Sequence, residues 1–351
     1  MTANVVAFTC EWFDSVASMV RTFRINHFKD GTLEIINLKN RQTFLKRTYF
    51  DDIQRDNFFV GATITINCRQ YFVADYADEG TRLFFQANNV RIFGLVKPEA
   101  IAAGELGKIL RAVDQASFTL SRLKMVELDA RSASRFDCAS PGNAVAFEAS
   151  VLGGGGESVA ARWDSLARSF GGKVFAATSA GSAGAEAMAA FESAAAWGHS
   201  SDQGDVTCCV VKPHVLKEGL LGDVMACIEQ ELGLRILAVE LTHLDRTSAS
   251  AFFDVYKGVY PHYNDLVAHM ISGPSVFLKI GSGAGTGGTG GVVDGFREAC
   301  GPGVVQVAKM LRPKSLRARF GTDRVKNALH CTDLPADGAL ECNFFRHLLS
   351  I

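Results

Sequence analysis

Three features of this sequence offer residue types that could do chemistry: nine cysteines, a glycine-rich run at 281–291, and a Lys-Pro pair that occurs twice. The cysteines are scattered and none has CxxC spacing. Neither a zinc site nor a disulfide framework is expected, and they read as reduced thiols acting as small apolar side chains. Gly283, Gly285 and Gly288 have the spacing of a dinucleotide loop. The run has no lysine for a Walker loop, however, and its low complexity reads as a surface insertion. A lysine before proline at a strand end, Lys97 or Lys212, is usually solvated; the alternative is a cation aimed at phosphate. A lone histidine near a strand end is more often structural than catalytic.

These groups must be held by more than one core, because 351 residues exceed a typical single domain. With 48% hydrophobic and 21% charged residues and a net charge of -1, neither a general nucleic-acid nor a membrane-surface role is favoured. No apolar run is long enough to cross a bilayer. The first residues carry Glu11 and Asp14 and lack a signal pattern, so an intracellular protein is expected.

Residues 4–89 read as antiparallel β structure. Strands are expected at 20–27 and 32–38 around the turn Lys29-Asp30-Gly31, and at 59–67 and 70–76. In Thr63-Ile64-Thr65-Ile66 the isoleucines share one face. The remainder is a degenerate repeat. Val96-Lys97-Pro98 followed by Gly104-Glu105-Leu106-Gly107 parallels Val211-Lys212-Pro213 followed by Gly219-Leu220-Leu221-Gly222, and Leu128-Asp129 parallels Leu244-Asp245. In each copy a strand ends at Lys-Pro, a helix follows (105–113; 221–232), then a second strand (118–128; 234–244). The order suggests a ferredoxin-like α/β sandwich twice over. The stretch 171–196 reads as a loose loop and an Ala-rich helix.

The second copy resembles the nucleoside diphosphate kinase family. The matching segments are Val211-Lys212-Pro213-His214, Ser272-Gly273-Pro274, Phe296-Arg297-Glu298, Ser315-Leu316-Arg317 and Asn327-Ala328-Leu329-His330-Cys331-Thr332-Asp333, with Glu341 beyond them. The resemblance implies that His330 is a nucleophile that carries phosphate and that Glu341 orients its ring, with Thr332 supporting that carboxylate. It also implies that Lys212, Arg297 and Arg317 bind phosphate oxygens and that Asn327 bonds the sugar of ATP or a nucleoside diphosphate. Magnesium would be held mostly by the phosphates, with no dedicated metal cage. The sequence departs from the family at four places. The base-stacking aromatics fall on Asp254 and His262, with Tyr256, Tyr260 and Tyr263 nearby. Gly303 stands for a phosphate-binding Thr, and Cys331 for a Gly. The first copy keeps Lys97 but lacks the helical hairpin and has no histidine between Asp137 and Ala196, so a histidine relay cannot run there.

Phe44-Leu45-Lys46-Arg47 and the run from Gly61 to Phe72 resemble the DM-type, pleckstrin-homology-like β domain of axonemal proteins. A DM-type domain before two kinase-like modules is the architecture of the nucleoside diphosphate kinase 7 family. The α+β organisation expected is therefore a β domain at 4–89, a degenerate kinase-like domain at 90–197 and a kinase-like domain at 205–351. The resemblance implies a structural component of the ciliary or flagellar axoneme, a doublet-microtubule inner protein in the cytoskeleton of the cytoplasm. Its partners would be tubulin and other axonemal proteins, with no nucleic acid and no membrane. The alternative is an active kinase working through phospho-His330. Lys39, Arg41, Lys46 and Arg47 cluster around a β turn and read either as a solvated face or as a contact for acidic tubulin.

Overall fold

The computed structural model describes residues 4–14, 17–51, 53–152, 156–178, 186, 189–191, 205–282 and 291–348. The glycine run expected as a surface insertion lies mostly outside them, at 283–290.

The N-terminal region is a six-stranded antiparallel sheet in the order β4-β3-β2-β1-β6-β5. Its strands are β1 (Val5–Asp14), β2 (Met19–Phe28), β3 (Thr32–Asn37), β4 (Thr43–Tyr49), β5 (Thr63–Ile66) and β6 (Arg69–Tyr76). The alternation in β5 holds, with Ile64 and Ile66 buried and the threonines half-buried. The strand expected at 59–67 starts only at Thr63, because Gly61 takes φ 96° and turns the chain. The sequence reading had no strand at β1, yet β1 is central and pairs with both β2 and β6. Phe8 in β1 anchors the core, stacking on Phe58 at 4.9 Å and meeting Phe85 of the helix Glu79–Asn88 edge-on at 5.3 Å.

The other eight strands form one sheet, β10-β7-β9-β8-β12-β13-β11-β14. The first copy contributes β7 (Asn89–Val96), β8 (Thr119–Leu128), β9 (Gly142–Leu152) and β10 (Val174–Thr178). The second contributes β11 (Val206–Val211), β12 (Arg235–Thr242), β13 (Ser275–Gly281) and β14 (Leu329–Cys331). Numbered within each copy, both follow the same ferredoxin-type order, and the two half-sheets meet edge to edge at β8 and β12. The loose loop expected at 171–196 contains β10, which closes one edge of the sheet by pairing with β7. Its short Val-Phe-Ala-Ala-Thr sequence is a weak strand signal, and pairing supplied the rest.

Local chemistry repeats with the topology. Proline opens a short helix after each lysine, Pro98–Ala102 and Pro213–Lys217. Asp129 and Asp245 each cap a helix by accepting from the N–H of Ser132 and Ser248, both at 2.7 Å. The copies differ between their second and third strands. The first has the helix Ala130–Arg135 alone, while the second adds Tyr263–Met270 to Arg246–Phe252.

The helices Leu106–Gln115 and Leu221–Ala226 cross at the junction of the copies. The N-terminal sheet rests on the second copy: Thr65 Oγ1 donates to the Ile271 carbonyl at 2.7 Å, and Gln70 Nε2 donates to that of Leu244.

Candidate functional site

The site is built on β11. Its sequence Val-Thr-Cys-Cys-Val-Val is buried throughout, as suits a strand covered on both faces. Proline after Lys212 ends the strand, so Lys212 stands at its tip, immediately before the helix Pro213–Lys217. The lysine is only 3% exposed, and its Nζ donates to the Val325 carbonyl at 2.8 Å. Burial, reinforced by the Arg317 charge, lowers its pKa to about 7.

β14 lies antiparallel to β11 with His330 opposite Val210, so the histidine sits one strand over from the lysine tip. His330 is 7% exposed. The helix Gly338–Leu348 carries Glu341 to it. Gly338 lets that helix lie against β11, since a Cβ there would stand 2.1 Å from the Val206 carbonyl oxygen. Glu341 Oε2 accepts from His330 Nε2 at 3.0 Å and from Thr332 Oγ1 at 2.9 Å. The Thr332 hydroxyl oxygen in turn accepts the Cys208 N–H at 3.0 Å. With the proton held on Nε2, the lone pair of the ring lies on Nδ1, for which no hydrogen bond occurs among the described residues. Phe252, Phe253 and Tyr256 meet the ring edge-on at 5.0, 5.6 and 6.4 Å. They fix its plane and exclude water.

Two of the expected cations bond groups in or just beyond β14. Arg317, from the helix Leu316–Phe320, donates to the Gly301 carbonyl at 2.7 Å and to that of Leu329. Arg297 donates to the backbone and carboxylate of Asp333, whose other oxygen takes the Tyr256 hydroxyl. Asn327 Nδ2 donates to the Gly303 carbonyl at 3.0 Å. Asn327 Oδ1 and the Ser315 hydroxyl are buried without a partner, the condition of groups set to receive a ligand's polar atoms. Arg297, Arg312, Arg317, Gly301 and Gly303 line an adjacent cleft of about 510 Å³.

Sequence reasoning missed several members. Tyr256, which the sequence places only near the base-stacking positions, ties Asp333 in place. Tyr260 instead donates to the Arg324 carbonyl, and Tyr263 to that of Ser250. His262 bonds Asp265 at 3.4 Å and meets Tyr260 edge-on at 5.8 Å. Behind Lys212, His214 Nδ1 and His269 Nε2 lie 3.0 Å apart. Burial, then the nearby positive charges, pushes their pKa values to about 4 and about 3, so this is a neutral pair. The adjacency of His214 to Lys212 was the visible signal; His269 comes from the hairpin and had none.

In the first copy Lys97 Nζ donates to the Asp137 carbonyl and lies 3.6 Å from its carboxylate. It is engaged by its own chain, with no phosphate-carrying side chain beside it among these contacts.

The nucleoside diphosphate kinase family matches residues 205–348. Nucleoside diphosphate kinase homolog 7 of Rattus norvegicus is 32% identical over 377 residues, covering 98% of this chain and 93% of that protein. The Mus musculus homolog 7 gives the same identity and coverage. The nucleoside diphosphate kinase of Aquifex aeolicus is 33% identical over 139 residues, 39% of this chain and 91% of its own length. Because similarity to the two homolog 7 proteins extends across the β-rich N-terminal region and both repeat copies, the chain belongs to the nucleoside diphosphate kinase homolog 7 family.

Proposed function

We propose that the second copy moves the γ-phosphate of a nucleoside triphosphate such as ATP to a nucleoside diphosphate through His330. The observation that carries this reading is the hydrogen-bonded array Thr332–Glu341–His330, which leaves Nδ1 as the nucleophilic nitrogen. In the first half-reaction an Nδ1–P bond forms as the bond from the γ-phosphorus to the bridging oxygen breaks, and the diphosphate leaves. The second nucleoside diphosphate reverses these steps. Lys212, Arg297 and Arg317 would bear on the phosphate oxygens, Asn327 on the sugar, and magnesium would arrive with the phosphates. The orphaned Asn327 Oδ1 and Ser315 hydroxyl fit such a ligand. The test is incubation with labelled ATP and magnesium, comparing wild type with His330→Ala. An acid-labile label only in wild type is expected; no label in either overturns the reading.

The chain as a whole is proposed to be a structural component of the ciliary or flagellar axoneme, contacting tubulin and other microtubule proteins. The observation favouring this role is that the first copy survives as sheet and not as site: Lys97 is tied to Asp137 while its strands extend the sheet of the second copy. The three modules proposed are 4–89, of DM or pleckstrin-homology-like type, 90–197 and 205–351. Arg47 is a poor contact residue, because it pairs with Asp30 at 2.7 Å and lies over the Phe28 ring at 3.8 Å. Exposed Lys39, Arg41 and Lys46 remain as contacts for an acidic surface. Detergent and salt extraction of flagella tests the role. Retention with the doublets is expected, and release with the detergent-soluble fraction overturns it.

A further inference from the structure

We propose that the outward face of the N-terminal sheet carries a docking stripe for a partner's amphipathic helix with an acidic end. The inference deepens the reading of Lys39 and Arg41 as contacts for an acidic surface, by giving them an apolar anchor.

The stripe follows from strand register. Phe13 of β1 and Val20 of β2 stand directly opposite each other. Glu11 precedes Phe13 by two residues and so shares its face; it stands opposite Thr22 on one side and Phe72 of β6 on the other. Gln70 is on that face with Phe72, and Thr65 is opposite Gln70. Thr65 and Gln70 fasten this sheet to the second copy. The second copy therefore sits against this face at β5 and β6, while the face stays open at β1 and β2. There Phe13 is 61% exposed, Val20 54% and Phe72 46%. Leu38, whose N–H donates to the Thr22 carbonyl at 3.1 Å, extends the row past β2 and is 42% exposed. The opposite face of the same strands is already packed, with Cys10, Phe23 and Tyr71 in the core. A sheet covered on one face normally turns polar residues outward, and a contiguous exposed apolar row marks a contact surface.

The row continues an interface the chain already makes, so its occupant would lie beside the second copy. It crosses the neighbouring strands β3, β2, β1 and β6. At about 4.8 Å between strands it is about 14 Å long, which an α-helix of about ten residues spans. Such a helix presents apolar residues at i, i+4 and i+7 to match. At the Leu38 end, in the turn between β3 and β4, Lys39 and Arg41 are exposed and enter no ion pair among the described residues. They call for carboxylates at that end of the helix. Exposed Glu11, in the middle of the row, opposes a uniformly anionic surface such as a lipid headgroup layer.

The probe is a fluorescein-labelled peptide of about 16 residues, with leucines at i, i+4, i+7 and i+11 and glutamates toward one end. Its anisotropy is followed on titration with the full chain. Binding at least roughly 10-fold tighter than that of a scrambled peptide of the same composition is expected. Phe13→Ser/Val20→Ser should weaken it roughly 10-fold or more. Lys39→Glu/Arg41→Glu should reverse the charge preference, favouring a peptide with lysines in place of the glutamates. All four side chains are exposed, and an unchanged melting temperature shows that each variant is folded; Leu38→Ser, at the other end of the row, replaces a pair that unfolds. Absent binding, equal binding of the scrambled peptide, or binding unchanged by the apolar substitutions overturns the proposal. So does pelleting with phosphatidylserine vesicles, or a dimer in sedimentation, that Phe13→Ser/Val20→Ser abolishes, because either assigns the stripe to another occupant. The measurement uses the isolated chain, so its release from flagella by detergent would leave the helix site standing, and a peptide that fails to bind would leave axonemal retention standing.

Discussion

Glu341 does two things for His330: it accepts from Nε2 and is itself fixed by Thr332. A hydrogen bond to a charged group contributes about 1.5–3 kcal/mol, so Glu341→Ala should lower the rate of His330 phosphorylation roughly 10- to 100-fold. Thr332→Val removes the support of that carboxylate and the acceptor of the Cys208 N–H but leaves Glu341 on His330, and should cost transfer less, about 1 kcal/mol. Single-turnover labelling of the two variants orders them; equal losses would contradict this chain of support. Lys212 gives a pH signature. Burial, aided by Arg317, brings its pKa down to about 7, so the free site loses this charge as pH rises through neutrality. An anionic nucleotide favours the protonated lysine, so binding should take up a proton and weaken above pH 7. Calorimetry in two buffers of different ionisation enthalpy measures the uptake, which Lys212→Met should abolish.

At the scale of elements, the junction of the copies depends on a helix pair that crosses with almost no side chain between backbones. A Cβ on Gly107 would stand 2.1 Å from the Ala226 nitrogen, and one on Gly222 would stand 2.0 Å from that of Arg111. Gly222→Ala should therefore force the helices apart and destabilise the chain by at least the 1–3 kcal/mol typical of overpacking, read as a lower urea midpoint. The helices also exchange caps. Asp114 accepts the Gly222 N–H at 3.1 Å and Glu229 accepts that of Gly107 at 2.7 Å. Glu229 lies in the π-helical turns Cys227–Glu231, where the second helix continues beyond Ala226.

On the scale of the whole molecule, the seam carries three carboxylic acids with raised pKa values. Burial outweighs the backbone N–H bonds at Asp114 and Glu229 and the nearby cations at Glu240, bringing them to about 6, 7 and 7. A carboxyl whose folded pKa exceeds its unfolded value binds protons more tightly when folded. Its stabilising contribution is complete below the unfolded pKa and is lost as pH rises through the folded one. The melting temperature should accordingly fall as pH rises from about 4 to about 7, and Glu229→Gln should flatten that slope in calorimetry. Because β8 and β12 join both copies into one sheet, and Thr65 and Gln70 fasten the N-terminal sheet to the second copy, loosening the seam should reach all three modules.

Short-range patterns were readable from the sequence. Proline after lysine marks a strand end because it lacks an N–H, aspartate three residues before serine marks a helix start, and matched spacing marks the repeat. The residues Lys212, Arg297, Arg317, Asn327, His330 and Glu341 could be named because their segments, in order, resemble those of the nucleoside diphosphate kinase family. Contacts distant in sequence were not readable. Central β1 lacks a clean alternation because Val6, Ala7 and Phe8 are buried in succession, and β10 has little strand character of its own. The exchange of caps by Asp114 and Glu229 and the Tyr256–Asp333–Arg297 tie each join elements that only the packing of helices on the sheet brings together. Hydrogen bonds within a few residues leave a mark on local spacing; burial and long-range pairing depend on what the rest of the chain places opposite, and so were decided by the tertiary structure.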